Sequence, residues 1–267
     1  MRSREKVSHQ AHNLKAENAL KWIKTRLRYH FESCPRYQLG INMETLTEIG
    51  LRHHTDKAYA NGYTKVYAES FEQIRDKPIR LLEIGAGDLG ASHKMWKDYF
   101  PNGEIFCIDT FLGEAQKGLR EKMESYGISV FEGNQLSRID FQNALELFGG
   151  EFDIIIDDGA HMPDAIQISL AILLPVLKSG GIYVVEDLLC ARNRLSRLDE
   201  INRKTKETGF TLEHVAEYPL EDSLAKLDSE GFWESNALAT NEKEYLADNI
   251  SSWKLKVNGN LCFIRKK

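Results

Sequence analysis

Hydrophobic and polar positions alternate between two periods along most of this chain. "IRLLEIG" (79–85), "EIFCIDT" (104–110), "ISVFEGN" (128–134), "FDIIIDDG" and "GIYVVEDL" are short apolar runs of strand length, rich in β-branched and aromatic residues. Between them lie segments with helical spacing: "GASHKMWKDYF" (90–100), "GEAQKGLREKMESYG", "FQNALELFG" and "DAIQISLAILLPVLKSG". Strands that alternate with helices predict a parallel sheet with helices on both faces. The final "SWKLKVNGNLCFIRKK" (252–267) carries two alternating strands around Asn258-Gly259, which predicts an antiparallel hairpin at one side of that sheet. Residues 1 to about 50 read as amphipathic helix, with Leu20, Trp22, Ile23 and Leu27 in helical register until Pro35 interrupts it. The chain therefore divides into a helical N-terminal extension or cap (1–70) and a Rossmann-like α/β domain (71–267). Residues 190–250 are charged helical fragments around Trp233 with no clear place in this pattern.

Composition changes this picture little. With 267 residues, 42% hydrophobic and 28% charged, the chain has the makeup of a soluble globular protein. No apolar run approaches the ~20 residues of a membrane helix, and the charged N-terminus lacks the apolar core of a secretory signal. A net charge of −5 disfavours nucleic acid as a partner, because phosphate neutralisation supplies most of that affinity. The basic run "CARNRLSRL" (190–198) reads as a solvated helix face. Cys34, Cys107, Cys190 and Cys262 form no C-x-x-C pair, which argues against structural zinc or a disulfide framework and fits a cytoplasmic setting.

Chemistry enters at the strand ends. "LLEIGAGDLGASHKMW" places Gly85, Gly87 and Gly90 between a strand and a helix, the spacing of a nucleotide-binding loop. Asp109 ends the next strand, where a carboxylate can accept both hydroxyls of a ribose. This pattern serves NAD-dependent oxidoreductases and S-adenosylmethionine-dependent methyltransferases alike. Glu83, two residues before Gly85, favours the second, since a carboxylate suits a cationic sulfonium and not a pyrophosphate. The Gly180-Gly181 turn before "IYVVED" and the terminal hairpin point the same way. Asp157 and Asp158 end one strand; Glu186 and Asp187 end the next. Neighbouring strands lie ~4.8 Å apart, so these acids would repel one another unless a cation intervened. A hard divalent ion such as Mg²⁺ answers that need.

Taken together, "TDK…NGYTKVY…F" (55–71), "LLEIGAGDLGASHKMWKDYFP", "IIIDDGAH" and "YVVEDL" resemble the magnesium-dependent sugar O-methyltransferases of macrolide biosynthesis, a class I methyltransferase family that includes the mycinamicin and macrocin enzymes. The resemblance covers roughly 55–190 and the last hairpin. It implies a mostly parallel seven-stranded sheet with the antiparallel C-terminal pair. It implies S-adenosylmethionine and Mg²⁺ as cofactors, with Asp158, Glu186 and Asp187 as metal ligands and His161 as general base. Asp109 would hold the adenosine ribose, the Gly85 loop the methionine end, and Gln135 the adenine side; Asp157 and Asn134 are counted with these donor-binding residues. The family usually has Asp where this chain has Asn134, and Gly where it has His54. The implied acceptor is a small molecule with adjacent hydroxyls, most simply a sugar diol of a natural product. Two other classes stay open: an NAD-dependent oxidoreductase, and a methyltransferase fold that catalyses a non-methylation step. The amphipathic N-terminal helix makes a homo-oligomer plausible.

Overall fold

The structure is a computed structural model and describes residues 43–188, 237–257 and 260–267. Leu46–Lys267 form one compact unit, and the description below concerns that unit. Its centre is a seven-stranded sheet: β1 (Arg80–Ile84), β2 (Glu104–Asp109), β3 (Ile128–Glu132), β4 (Phe152–Asp157), β5 (Leu177–Val185), β6 (Ile250–Lys256) and β7 (Leu261–Lys266), in the spatial order β3-β2-β1-β4-β5-β7-β6. The first five strands run parallel, and β7 is antiparallel to both β5 and β6. The expected hairpin is therefore present, though its Asn258-Gly259 turn lies outside the described residues, as do Cys34, Cys190, the basic run at 190–198 and residues 1–42 of the N-terminal extension.

Alternation along the strands separates two apolar layers. Leu82, Ile84, Phe106, Ile108, Ile155, Tyr183 and Val185 face α6 (Arg138–Phe148), α7 (Pro163–Leu173) and α8 (Thr240–Asn249). Leu81, Ile105, Cys107, Ile154, Ile156 and Val184 face α1 (Leu46–Arg52), α3 (Tyr63–Phe71), α4 (Ala91–Tyr99) and α5 (Leu119–Ser125). Ile154, Ile155 and Ile156 are all fully buried, which explains their unbroken apolar run: a strand covered on both faces needs no polar side. Among the described residues no helix is long and apolar enough to cross a membrane.

Two helices differ from expectation. The segment expected as one helix over 113–127 is a short 3₁₀ turn (Glu114–Gln116) followed by α5, because Gly118 between them adopts φ +68°. The helix expected to reach Gly180 stops at Leu173, ahead of Pro175, whose ring disfavours helix in the residue before it. β5 then starts at Leu177 and runs through Gly180-Gly181 with a register irregularity opposite Phe152–Ile154.

Candidate active site

Strand order reverses at β1, which has β2 on one side and β4 on the other. In open α/β sheets the ligand crevice lies at such a point, beyond the carboxyl ends of the strands. Here that position holds a cavity of about 680 Å³, lined among others by Gly85, Gly87, Asp109, Asn134, Gln135, Asp158, His161 and Asp187. The backbone steps from strand to strand along its floor: Gly85 N donates to Ile108 O (2.9 Å), Asp158 N to Ile84 O (3.1 Å) and Glu186 N to Asp157 O (2.9 Å). Gly85 is obligatory at the crossing. Its φ is +95°, and a Cβ there would sit 2.1 Å from Asp158 O.

One side of the cavity belongs to the glycine loop and Asp109. Asp109 Oδ2 accepts from Ala86 N (2.7 Å), while Oδ1 accepts from Phe111 N (2.7 Å) and Gln116 Nε2 (3.1 Å). The same Gln116 amide donates to Gly87 O (2.9 Å), so β2 and the segment after it clamp the loop. Asn134 Oδ1 accepts from Leu136 N (2.9 Å), shaping the turn after β3. Gln135 spans two groups: Nε2 donates to Asp157 Oδ1 (2.7 Å), and Oε1 accepts from Ala160 N (2.7 Å). Gln135 thus braces the 157–160 turn as well as lining the cavity. Asp157 does not line it. It is 1% exposed and accepts hydrogen bonds from Gln135, Ser169 and Tyr183; burial pushes its carboxyl up to about 6. Gly90 is also outside the lining and packs against Met123, leaving no room for a Cβ.

Glu83 differs most from the sequence expectation, which placed it beside the donor. It leaves β1 on the face covered by α3 and α4, and it is fully buried. Its Oε2 accepts from Ser92 Oγ and Trp96 Nε1, each at 3.0 Å. Its Oε1 lies 3.3 Å from Lys57 Nζ, an ion pair without hydrogen-bond geometry. Alternation did set its face; the helices over that face close it off from the cavity.

Lys57 is the residue that sequence reasoning missed. It belongs to α2 (Asp56–Tyr59), within the quoted "TDK" motif, yet its side chain is only 1% exposed. Its ammonium lies 2.5 Å from Asp158 Oδ2, 2.8 Å from Glu186 Oε1 and 3.3 Å from Glu83 Oε1. Burial opposes the charge on Lys57, but Asp158, Glu186 and Glu83 outweigh it and hold the amine protonated well above its ordinary range. Glu186 Oε1 also accepts from the Tyr67 hydroxyl at 2.5 Å, and burial pushes the Glu186 carboxyl up to about 7. Glu186 is 1% exposed and is not part of the cavity lining. The signal available in the sequence was the excess of acids itself: a buried cation was needed, and a lysine answers that need as well as a metal does.

The other acids turn outward. Asp158 Oδ1 and Asp187 Oδ2 each lie 3.8 Å from His161 Nε2, and all three side chains line the cavity. Asp187 Oδ1 is held from behind by Tyr63 Oη (2.7 Å) and Asn260 Nδ2 (3.1 Å). Four of the described acids and His161 thus form two groups of three, each compact enough to hold an ion, with Asp158 common to both: Asp158, His161 and Asp187, and Glu83, Asp158 and Glu186. The backbone around the outward group is strained. His54, His161 and Asp187 have φ of +59°, +51° and +57°, and all three line the cavity. Left-handed non-glycine residues cost about 1–2 kcal/mol each and persist where the surroundings over-determine them. His54 thus occupies a left-handed position, the conformation for which Gly is the natural residue.

No family model matches the chain. Relatives do. A tetracenomycin-C 3′-O-methyltransferase of Streptomyces olivaceus, acting on a 2-methoxy-α-L-rhamnosyl derivative, is 36% identical over 153 residues, 55% of this chain and 37% of the relative. The mycinamicin VI 2″-O-methyltransferase of Micromonospora griseorubida is 31% identical over 159 residues, 57% of this chain and 38% of the relative. By sequence, the chain is similar to these two O-methyltransferases over a little more than half of its length. It spans a little over a third of the length of these curated relatives. A methyltransferase from the mycinamycin pathway, solved in complex with Mg and SAH, superposes with a TM-score of 0.60 at 25% identity, covering 94% of this chain and 61% of that one. The fold of this chain is therefore that of the class I methyltransferases, as the sheet order indicates.

Proposed function

We propose that this chain is an S-adenosylmethionine-dependent, metal-assisted O-methyltransferase acting on a hydroxyl of a sugar-bearing natural product. The supporting observation is that a single cavity joins the glycine loop and Asp109 on one wall to Asp158, His161 and Asp187 on the other. The residues fit both groups. Gly87 has open space over its Cβ position, and Asp109 completes a wall suited to a nucleoside. The Asp158 and Asp187 carboxylates, both on the cavity wall beside His161, offer the hard oxygen donors that such an ion takes.

S-adenosylmethionine would supply the methyl group, and a divalent ion near Asp158 and Asp187 would supply positive charge beside the acceptor oxygens. The remaining work falls to this chain. Gly85–Gly87 and Asp109 orient the donor. The acidic floor selects an acceptor that can present neighbouring oxygens, and a vicinal diol meets that condition most simply. His161 Nε2, 3.8 Å from Asp158 Oδ1 and from Asp187 Oδ2 on the cavity wall, takes the hydroxyl proton. Ionisation of the acceptor and departure of the sulfide then need no covalent enzyme intermediate.

Calorimetric titration with S-adenosylhomocysteine, NADH and Mg²⁺ tests the reading. S-adenosylhomocysteine should bind, and Mg²⁺ should bind independently of it and be lost with EDTA. Binding of NADH with none of S-adenosylhomocysteine would replace this reading with the oxidoreductase one.

A further inference from the structure

Five groups gather around one buried ammonium, that of Lys57: Glu83, Asp158, Glu186, beside Glu186 the Tyr67 hydroxyl and, across Asp158, His161. The geometry divides Asp158 in two. Its Oδ2 is held by Lys57 at 2.5 Å, and its Oδ1 faces His161 and the cavity. Glu186 is pinned in the same manner through Oε1, by Lys57 at 2.8 Å and by the Tyr67 hydroxyl at 2.5 Å. Lys57 makes these contacts from α2, a single helical turn whose Asp56 and Tyr59 line the cavity while the Lys57 side chain is buried. Nothing in the donor site or in the transfer of the methyl group requires a fully buried lysine there.

We propose that Lys57 is a positioning residue for the metal site: its ammonium fixes Oδ2 of Asp158, with Glu186 as its second anchor, so that the opposite edge of Asp158, Oδ1, is presented to a divalent ion in the cavity. This inference rests on the metal-assisted reading above. The physical reason is twofold. A carboxylate with one oxygen anchored by a charge-assisted hydrogen bond has lost its rotational freedom before the ion arrives. And one fixed positive charge offsets part of the repulsion among Glu83, Asp158 and Glu186, which otherwise would drive protons onto the ligands and splay them apart. Groups that orient metal ligands from behind are worth roughly 10–100-fold in metal affinity.

The test is Mn²⁺ binding, followed by electron paramagnetic resonance, on the full chain and on Lys57→Met, with S-adenosylhomocysteine affinity measured on the same samples. The expected result is Mn²⁺ affinity weakened roughly 10- to 100-fold with S-adenosylhomocysteine affinity unchanged. Equal or tighter Mn²⁺ binding by Lys57→Met would overturn the proposal, since Lys57 would then be indifferent to the ion or in competition with it. A parallel loss of both affinities would also overturn it, because that marks a lysine that merely supports the fold. If Lys57→Met does not fold, a crystal structure of the unaltered chain with Mn²⁺ decides: Lys57 Nζ still within hydrogen-bond reach of Asp158 and Glu186 supports the proposal, and Nζ withdrawn from both refutes it. A native chain that binds no Mn²⁺ under any condition removes the metal-assisted reading itself, and this inference with it.

Discussion

The two groups that share Asp158, one of three carboxylates and one of two carboxylates with an imidazole, behave differently. Glu83 and Glu186 lie on the inner side, almost wholly buried, with Lys57, Tyr67, Trp96 and Ser92 supplying positive charge and donors from the protein itself. Asp158 Oδ1, His161 and Asp187 lie on the outer side, line the cavity, and meet one another at 3.8 Å through His161 Nε2. The contrast separates two ways of keeping carboxylates ionised near one another. The inner group carries its own counter-cation and is thereby part of the architecture. The outer group leaves room for charge brought from solution, and only such a group can do chemistry on a ligand. Breaking the outer group should therefore cost turnover, and breaking the inner one should cost stability.

The largest expected effect is on the outer side. His161→Ala should lower turnover roughly 10²–10⁴-fold, the usual contribution of a general base, with S-adenosylhomocysteine affinity within experimental error of the parent chain. Steady-state kinetics together with calorimetry would separate the two quantities. Turnover that survives the substitution would show that the proton leaves by another route.

On the inner side, Glu83→Ala should act through the fold. It strips the acceptor from Ser92 Oγ and Trp96 Nε1, both buried. Each orphaned buried donor costs roughly 1–3 kcal/mol, which for a chain of this size lowers the melting temperature by roughly 4–20 °C. Donor affinity should change little at a temperature where the variant is folded. A large loss of S-adenosylhomocysteine binding without a drop in melting temperature would return Glu83 to the donor site, where its place in the sequence first put it.

That difference marks how far the sequence could be read. The sheet, its parallel order and the antiparallel end were legible because buried strands such as 152–157 and 182–185 declare themselves in apolar runs. The position of the site was legible too, since glycines and acids cluster at strand ends for local reasons. What could not be read was which side chain closes onto which. Glu83 shares the strand face of Gly85, but whether that face opens on a cavity or on Trp96 depends on how α4 lies across β1. Lys57 is 101 residues from Asp158 and farther still from Glu186, and its short helix has no periodic pattern to show that its polar end points inward. Gln116 was passed over for a similar reason: in sequence it is one polar residue on an expected helix, and only the break at Gly118 turns it toward Gly87 and Asp109.

The smallest expected effect links the two groups through pH. Burial pushes Glu186 up to about 7 and Asp157 up to about 6, above the ordinary range of carboxyls in an unfolded chain. Between those ordinary values and the raised ones, the folded chain holds protons that the unfolded chain has released. Stability of the metal-free chain should then fall as pH rises through about 5 to 7, by the linkage between proton binding and folding. Mg²⁺ works in the opposite sense, because it needs its ligands ionised and binds better as pH rises. Melting curves at pH 5.5 and 7.5 should show the metal-free chain a few degrees less stable at the higher pH, with Mg²⁺ narrowing that gap. Repeating the pair on Glu186→Gln assigns it: the metal-free difference should shrink if Glu186 carries the proton. An undiminished difference would place the proton on another buried carboxyl, Asp158 or Asp157, both of which burial also pushes up.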